Sequence, residues 1–291
     1  MADPSLPPPT VADRFGRLEW AADDRSFTLA GQRYLVEDVS TEQDPDAFRF
    51  YKPRSMVDQY ERFLTQIDDE LPRDILELGI WDGGSVAFWC ELLEPTHHLA
   101  IDKGERGDSE LFGRHVAEHG LQDVVDCRWG VDQADHRTIW ALLDEHGLDQ
   151  LDLVIDDASH SYGPTLASFA GLFPRVRAGG YYIIEDWSWP FREPFRRKDH
   201  PWATRPDLLP IVYDLLAALG SETGAISQVQ VFADFVAIRR GPRTLEAPID
   251  LAALIRPRER PHLKLTANAA RRYGRKALRV AREATDRARR G

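Results

Sequence analysis

Five apolar runs in this chain end in acidic or glycine residues, and stretches of helical periodicity separate them. They are DILELGI (74–80), HLAID (98–102), VVDCRWG (124–130), LDLVIDD (151–157) and GYYIIED (180–186). Near-continuous apolar runs are what strands buried on both faces require. Helices between such strands imply crossover connections and a parallel sheet. Residues 228–240, QVQVFADFVAIRR, read as two further strands around Ala233-Asp234, and a tight turn there makes the final pair antiparallel. The expectation is an α/β fold with a mostly parallel, seven-stranded sheet and an antiparallel last strand.

Upstream, residues 26–38 alternate apolar and polar around Ala30-Gly31, which predicts a hairpin. Residues 53–70 predict a helix with Met56, Tyr60, Phe63 and Leu64 on one stripe. The organisation expected is an N-terminal extension (1–50), a central domain (51–245) and a basic helical tail (246–291). With 291 residues and 43% hydrophobic content, the chain can build a real core. No stretch approaches the about 20 apolar residues of a membrane span. The acidic, Pro-rich start lacks the basic and apolar regions of a secretory signal, so a cytoplasmic protein is expected. Cys90 and Cys127 are too few for a four-sulfur zinc site and are expected as buried small hydrophobes.

The run at 74–80 opens a glycine loop, Glu77-Leu78-Gly79-Ile80-Trp81-Asp82-Gly83-Gly84-Ser85, with a helix after it. Such a loop lets a ligand approach the backbone closely. Its spacing is G-x-x-x-G-G, and Trp81 stands where a dinucleotide fold needs its second glycine to clear the pyrophosphate. NAD and FAD are therefore disfavoured, and the missing G-K-[ST] disfavours ATP. S-adenosylmethionine (SAM) has no phosphate and tolerates the indole. Glu77, Gly79, Gly83 and Ser85 are the expected cofactor contacts here, with Glu77 facing the cationic amino end. Asp102 ends the second run and can accept from both ribose hydroxyls. Asp132 or Gln133, after the third run, can bond the adenine amino group; an Asx-type turn is the plainer use of Asp132.

The sharpest signal is Asp156-Asp157-Ala158-Ser159-His160 together with Glu185-Asp186. Both acid pairs sit at the carboxyl ends of predicted strands, where ligands of open α/β sheets bind. On neighbouring strands about 4.8 Å apart, up to four carboxylates would converge. Like charges so close resist ionising together unless a cation compensates. No Lys or Arg lies within a few residues of either pair, so a bound ion is the economical explanation. Oxygen ligands favour Mg²⁺ or Mn²⁺ over zinc. Asp157, Glu185 and Asp186 are the expected ligands, and Asp156 is expected to face SAM. His160 would serve as general base toward a metal-bound hydroxyl, with Asp157 beside it in the catalytic set.

The runs ILELGIWDGGS, AIDKG, VIDDASH and GGYYIIEDW resemble the macrocin/mycinamicin-type sugar O-methyltransferases and the cephalosporin-hydroxylase-like group that shares their motifs. The likeness covers roughly Tyr51 to Arg240. It implies a Rossmann-like class I methyltransferase fold, SAM and a divalent metal. It also implies a sugar or glycoside hydroxyl as acceptor, in natural-product or cell-surface glycan assembly. Carried over residue by residue, it puts the metal on Asp157, Glu185 and Asp186 and the base on His160. Lys52 and Tyr60 match the segment that closes over the cofactor. The rival readings are an oxygenase, which would need an iron triad of two histidines and a carboxylate, and a non-catalytic SAM-binding partner of a glycosyltransferase.

Residues 187–206 hold Trp187, Trp189 and Trp202 among Pro, Phe and Arg, a composition suited to a lid or a wall for sugar rings. The tail from 256 carries 13 Lys and Arg against 3 acidic residues, a net +10 that leaves −21 on residues 1–255. An acidic body is a poor binder of nucleic-acid backbones. The tail reads as a basic amphipathic helix for a membrane surface or a second subunit.

Overall fold

A computed structural model describes residues 9–36, 44–67, 71–104, 109–193 and 195–256. The tail helix and the first residues of the N-terminal lead lie outside the described residues.

The chain opens with helix α1 (Val11–Phe15), capped by Thr10 and Asp13 in reciprocal hydrogen bonds. Four strands follow: β1 (Glu19–Trp20), β2 (Ser26–Leu29), β3 (Gln32–Leu35) and β4 (Ala47–Arg49), in that sheet order. The predicted hairpin is β2–β3. Ala30 and Gly31 turn it with φ of 51° and 81°, the positive pair that matches strand twist in two-residue turns. Helix α2 (Arg54–Gln66) starts after Pro53 and buries Met56, Tyr60, Phe63 and Leu64, the stripe read from sequence.

The main sheet comprises β5 (Asp74–Leu78), β6 (His97–Asp102), β7 (Val125–Trp129), β8 (Leu151–Asp156), β9 (Val176–Glu185), β10 (Ile226–Val231) and β11 (Phe235–Arg240). Its order is β10-β11-β9-β8-β5-β6-β7. Strands β5 to β9 pair in parallel, while β11 runs antiparallel between β9 and β10. The crossovers are α3 (Gly84–Leu93), α4 (Glu110–Glu118), α5 (His136–Glu145), α6 (Tyr162–Leu172) and α7 (Leu209–Gly220).

Alternation along the strands divides the interior in two. Leu153, Ile155, Tyr181 and Ile183 face one core, with α2, α3 and the N-terminal sheet over it. Val154, Tyr182 and Ile184 face the other, under α5, α6 and α7. The first core is aromatic: Phe27 stacks on Tyr34 at 4.8 Å, and Phe50 meets Phe88 at 4.4 Å. Leu251 and Leu254 bury against the second core, so the described residues just beyond 245 pack with the central domain. Cys90 is buried, whereas Cys127 is only half-buried, because β7 is an edge strand covered less completely. No helix among the described residues is long and apolar enough to cross a membrane.

Candidate active site

The carboxyl ends of β5, β6, β8 and β9 carry the site. A cleft there is lined by Gly79, Asp102, Asp132, Gln133, Ala158 and Ser159, among others. Gly79 has φ 87°, and a Cβ on it would overlap the Asp157 backbone. Only glycine lets the β5 loop pass so close to the β8 loop. Gly83, at φ 91°, likewise lies against the Phe112 ring of α4. Ser85 is buried in the first turn of α3.

The Asp102 carboxylate accepts from the amides of Ile80 and Trp81 at 3.0 and 2.8 Å and of Gly104 at 2.6 Å. It therefore shapes the glycine loop. A carboxylate offers about four acceptor positions, so one remains open. Asp132 makes the Asx-type turn, accepting from Ala134 N at 2.9 Å, and pairs with Lys103 at 2.6 Å. The Gln133 amide donates to Asp156 Oδ1 at 3.0 Å and accepts from Ser159 N at 2.9 Å. It ties the two loops together instead of presenting free polar atoms to a base.

Two expected cofactor contacts face elsewhere. Asp156 is 2% exposed and turns into the second core. There Ser168 donates to it at 2.5 Å and Tyr182 at 2.9 Å. Residue 156 follows Val154 on the same face, and period-2 alternation sends Asp157 to the other side. Burial pushes the Asp156 carboxyl up to about 6. Glu77 is fully buried on the first-core face, with its Oε2 3.2 Å from His98 Nε2, so it does not reach the cleft.

Asp157 and Glu185 share the first-core face because Asp156 pairs with Ile184 in register. The uncompensated charge inferred from local sequence does not exist in this form. Lys52, buried between β4 and α2, donates to Asp157 Oδ2 at 2.6 Å and also to Glu185 Oε2. Tyr60 donates to the other Glu185 oxygen. Burial opposes the Lys52 charge, yet Asp157 and Glu185 hold it above the ordinary lysine value. Burial, then Asp157, push the Glu185 carboxyl up, and Lys52 and Tyr60 pull against them.

Asp157 Oδ1 points the other way, 3.8 Å from His160 Nε2, and Asp186 Oδ2 lies 3.9 Å from the same nitrogen. Asp157, His160 and Asp186 offer donor atoms within 4.8 Å of one another. Burial pushes the Asp186 carboxyl up. The two carboxylates of this set fit a hard divalent cation completed by water, with the imidazole beside it. His160 and Asp186 hold positive φ of 48° and 54°, a conformation that non-glycine residues keep only where surroundings enforce it. The enforcement is visible: Trp189 Nε1 donates to His160 O at 3.0 Å, Arg205 to Ser159 O at 2.8 Å, and Asp186 N to Asp234 O at 2.7 Å. Asp234 is itself held by Gln59 and Arg192. Sequence reading took Asp234 for a turn residue only, since its partners lie far along the chain.

Of the three tryptophans in the 187–206 segment, Trp187 donates to Phe232 O at 2.8 Å and Trp189 is buried, so both anchor the segment. Trp202 stands 6.0 Å from the His160 ring, and the Arg205 guanidinium lies over the Trp202 ring, 4.0 Å from its centroid. Among the described residues His160 is the one histidine of this cluster, so an iron triad of two histidines and a carboxylate is not assembled here.

The sheet is the mostly parallel, seven-stranded one expected, with a glycine loop and acids on its carboxyl edge, and residues 76–187 match a family described as a methyltransferase domain. The chain's relatives are sugar O-methyltransferases of the macrocin and mycinamicin type. It is 33% identical over 141 residues to demethylmacrocin O-methyltransferase of Streptomyces fradiae, covering 45% of this chain and 32% of that protein. Identity is 30% over 141 residues with mycinamicin VI 2''-O-methyltransferase of Micromonospora griseorubida, with the same two coverages of 45% and 32%. It is 40% over 187 residues with 8-demethyl-8-alpha-L-rhamnosyl tetracenomycin-C 2'-O-methyltransferase of Streptomyces olivaceus, covering 62% and 43%. The chain thus spans less than half the length of these relatives. The solved structure of MycE methyltransferase in complex with Mg, SAH and mycinamycin VI is 25% identical, with a TM-score of 0.46 over 63% of this chain and 49% of that one.

Proposed function

We propose that the chain is a SAM- and divalent-metal-dependent O-methyltransferase acting on a hydroxyl of a sugar or glycoside. One observation carries the reading: Asp157, His160 and Asp186 converge at the sheet edge beside the glycine-loop cleft. When bound, SAM supplies an electrophilic methyl group, and Mg²⁺ or Mn²⁺ lowers the pKa of a hydroxyl held against it.

The chain's own residues do the rest. Gly79, Gly83, Ser85 and Asp102 shape the nucleoside side of the cleft, and Asp132 and Gln133 form the wall for the base. Asp157 and Asp186 present oxygens to the cation. Glu185 could serve as a further ligand only if Lys52, which donates to its Oε2, moved away. His160 Nε2 takes the acceptor's proton, and Trp202 offers a face for the sugar ring. In the N-terminal extension (1–50), Arg14, Phe27 and Phe50 buttress α3, 51–245 carry the chemistry, and the basic tail is left for a membrane surface or a second subunit.

The test is calorimetric titration of SAM, combined with methyl-transfer assays on macrolide glycosides and rhamnosylated tetracenomycins. Chelation should abolish turnover and spare SAM binding. Transfer that persists in excess EDTA would remove the metal from the reading, and absence of SAM binding would remove the reading itself.

A further inference from the structure

A second group of metal-type donors lies outside the cleft: Glu91 on α3, His115 on α4 and His119 at its C-cap. The histidines are four residues apart and so share one helix face. Their rings stack at 4.1 Å. His119 Nδ1 stands 2.6 Å from Glu91 Oε1, and His115 Nε2 stands 4.0 Å from that same oxygen. His115 is 2% exposed, and its Nε2 has no hydrogen-bond partner among the described residues. A buried imidazole nitrogen ordinarily finds one. A plain ion pair explains His119 and Glu91 but leaves the buried nitrogen of His115 without a role.

In a tetrahedral zinc site with bonds of about 2.0–2.1 Å, neighbouring donors stand about 3.3 Å apart. The two spacings, 2.6 and 4.0 Å, bracket that value, and all three donor atoms lie within 4.8 Å of one another. A change of about 0.7 Å in each of the two spacings brings both to that value. We propose that Glu91, His115 and His119 bind Zn²⁺, with the fourth position open to water on the His119 side. Two imidazoles and one carboxylate favour zinc over Mg²⁺ or Ca²⁺, which separates this site from the carboxylate-rich one. The donor types of an iron triad are therefore present, but on α3 and α4 rather than at the cleft. The ion would brace α3, which leaves the glycine loop, against α4, whose Phe112 backs Gly83. None of this depends on the methyl-transfer reading.

The test uses the untagged full chain, stripped by chelator and titrated with Zn²⁺ by calorimetry. His119→Ala and Glu91→Gln are run beside it, with Asp186→Asn reporting on the other site. Wild type and Asp186→Asn should take up the ion with equal affinity. Affinity should fall at least about 100-fold in His119→Ala and in Glu91→Gln, since lost outer-shell partners alone cost 10- to 100-fold. At a hundredfold excess over Kd, zinc should raise the wild-type Tm by about 5 °C or more and leave that of His119→Ala unchanged. Circular dichroism is the control that His119→Ala, altered at an exposed position, keeps its fold. Unchanged zinc affinity in both variants, no uptake by wild type, or loss confined to Asp186→Asn overturns the proposal.

Discussion

Lys52 Nζ lies 2.6 Å from Asp157 Oδ2, across 105 positions of chain, and Lys52 also holds Glu185. One buried ammonium thereby answers two carboxylates that sit on adjacent strands. Removing one partner of a buried pair costs about 3–5 kcal/mol, because the others keep their charge. Lys52→Met should lower the Tm markedly, and added Mg²⁺ or Mn²⁺ should restore part of the loss by taking the vacated place. Thermal melts with and without the ion check this; a Tm indifferent to both changes contradicts it.

His160 is positioned by bonds to its carbonyl and to its neighbour Ser159, not by its ring. His160→Ala should therefore leave the loop and SAM affinity intact while kcat falls about 10²- to 10⁴-fold, the usual worth of a general base. Calorimetry and a methyl-transfer assay separate the two effects. Equal losses in binding and turnover would make His160 a structural residue.

Asp156 titrates differently in the folded and unfolded chain, at about 6 against the ordinary 3.8. Below about pH 4 it is protonated in both states and costs nothing. As pH rises through about 6 the folded state must carry a buried charge, so stability falls across that window. The difference amounts to on the order of 3 kcal/mol. Denaturant titrations at pH 4 and pH 7 should show this decline in wild type relative to Asp156→Asn. Parallel pH profiles for the two proteins would count against it.

Gly79→Ala places a methyl group in the Asp157 backbone at a positive φ. Stability should drop by about 1–3 kcal/mol from backbone strain, with more from the overlap. SAM affinity should drop with it, since the same loop forms the cleft. A variant that melts and binds like wild type would mean the two loops have slack.

Much of this architecture is legible in the sequence because it is local. The alternation around Ala30-Gly31 yields the β2–β3 hairpin, the stripe of Met56, Tyr60, Phe63 and Leu64 yields α2, and the paired runs about Ala233-Asp234 yield the antiparallel β10–β11 ribbon. The site is legible in outline only. Whether Asp156 or Asp157 faces the cleft turns on a single residue of register, which a run of apolar residues does not specify. Family likeness placed Lys52 near the cofactor, but its grip on Asp157 and Glu185 depends on how α2 and β4 pack. Gln133, Ser168 and Tyr182 meet around Asp156 from three separate elements, and no spacing announces that.

The overlap that any side chain at position 79 would suffer has a further meaning. Nucleoside loop and acid loop are separated by bare backbone, so their spacing is set by atomic radii and not by a side chain able to rotate or compress. The proposed transfer needs reacting atoms about 3–3.5 Å apart, and a partition this thin leaves the two loops no side chain through which to drift. On the proposed function, variation that changes the acceptor should therefore gather in the 187–206 segment, on the far side of His160, and leave this seam untouched.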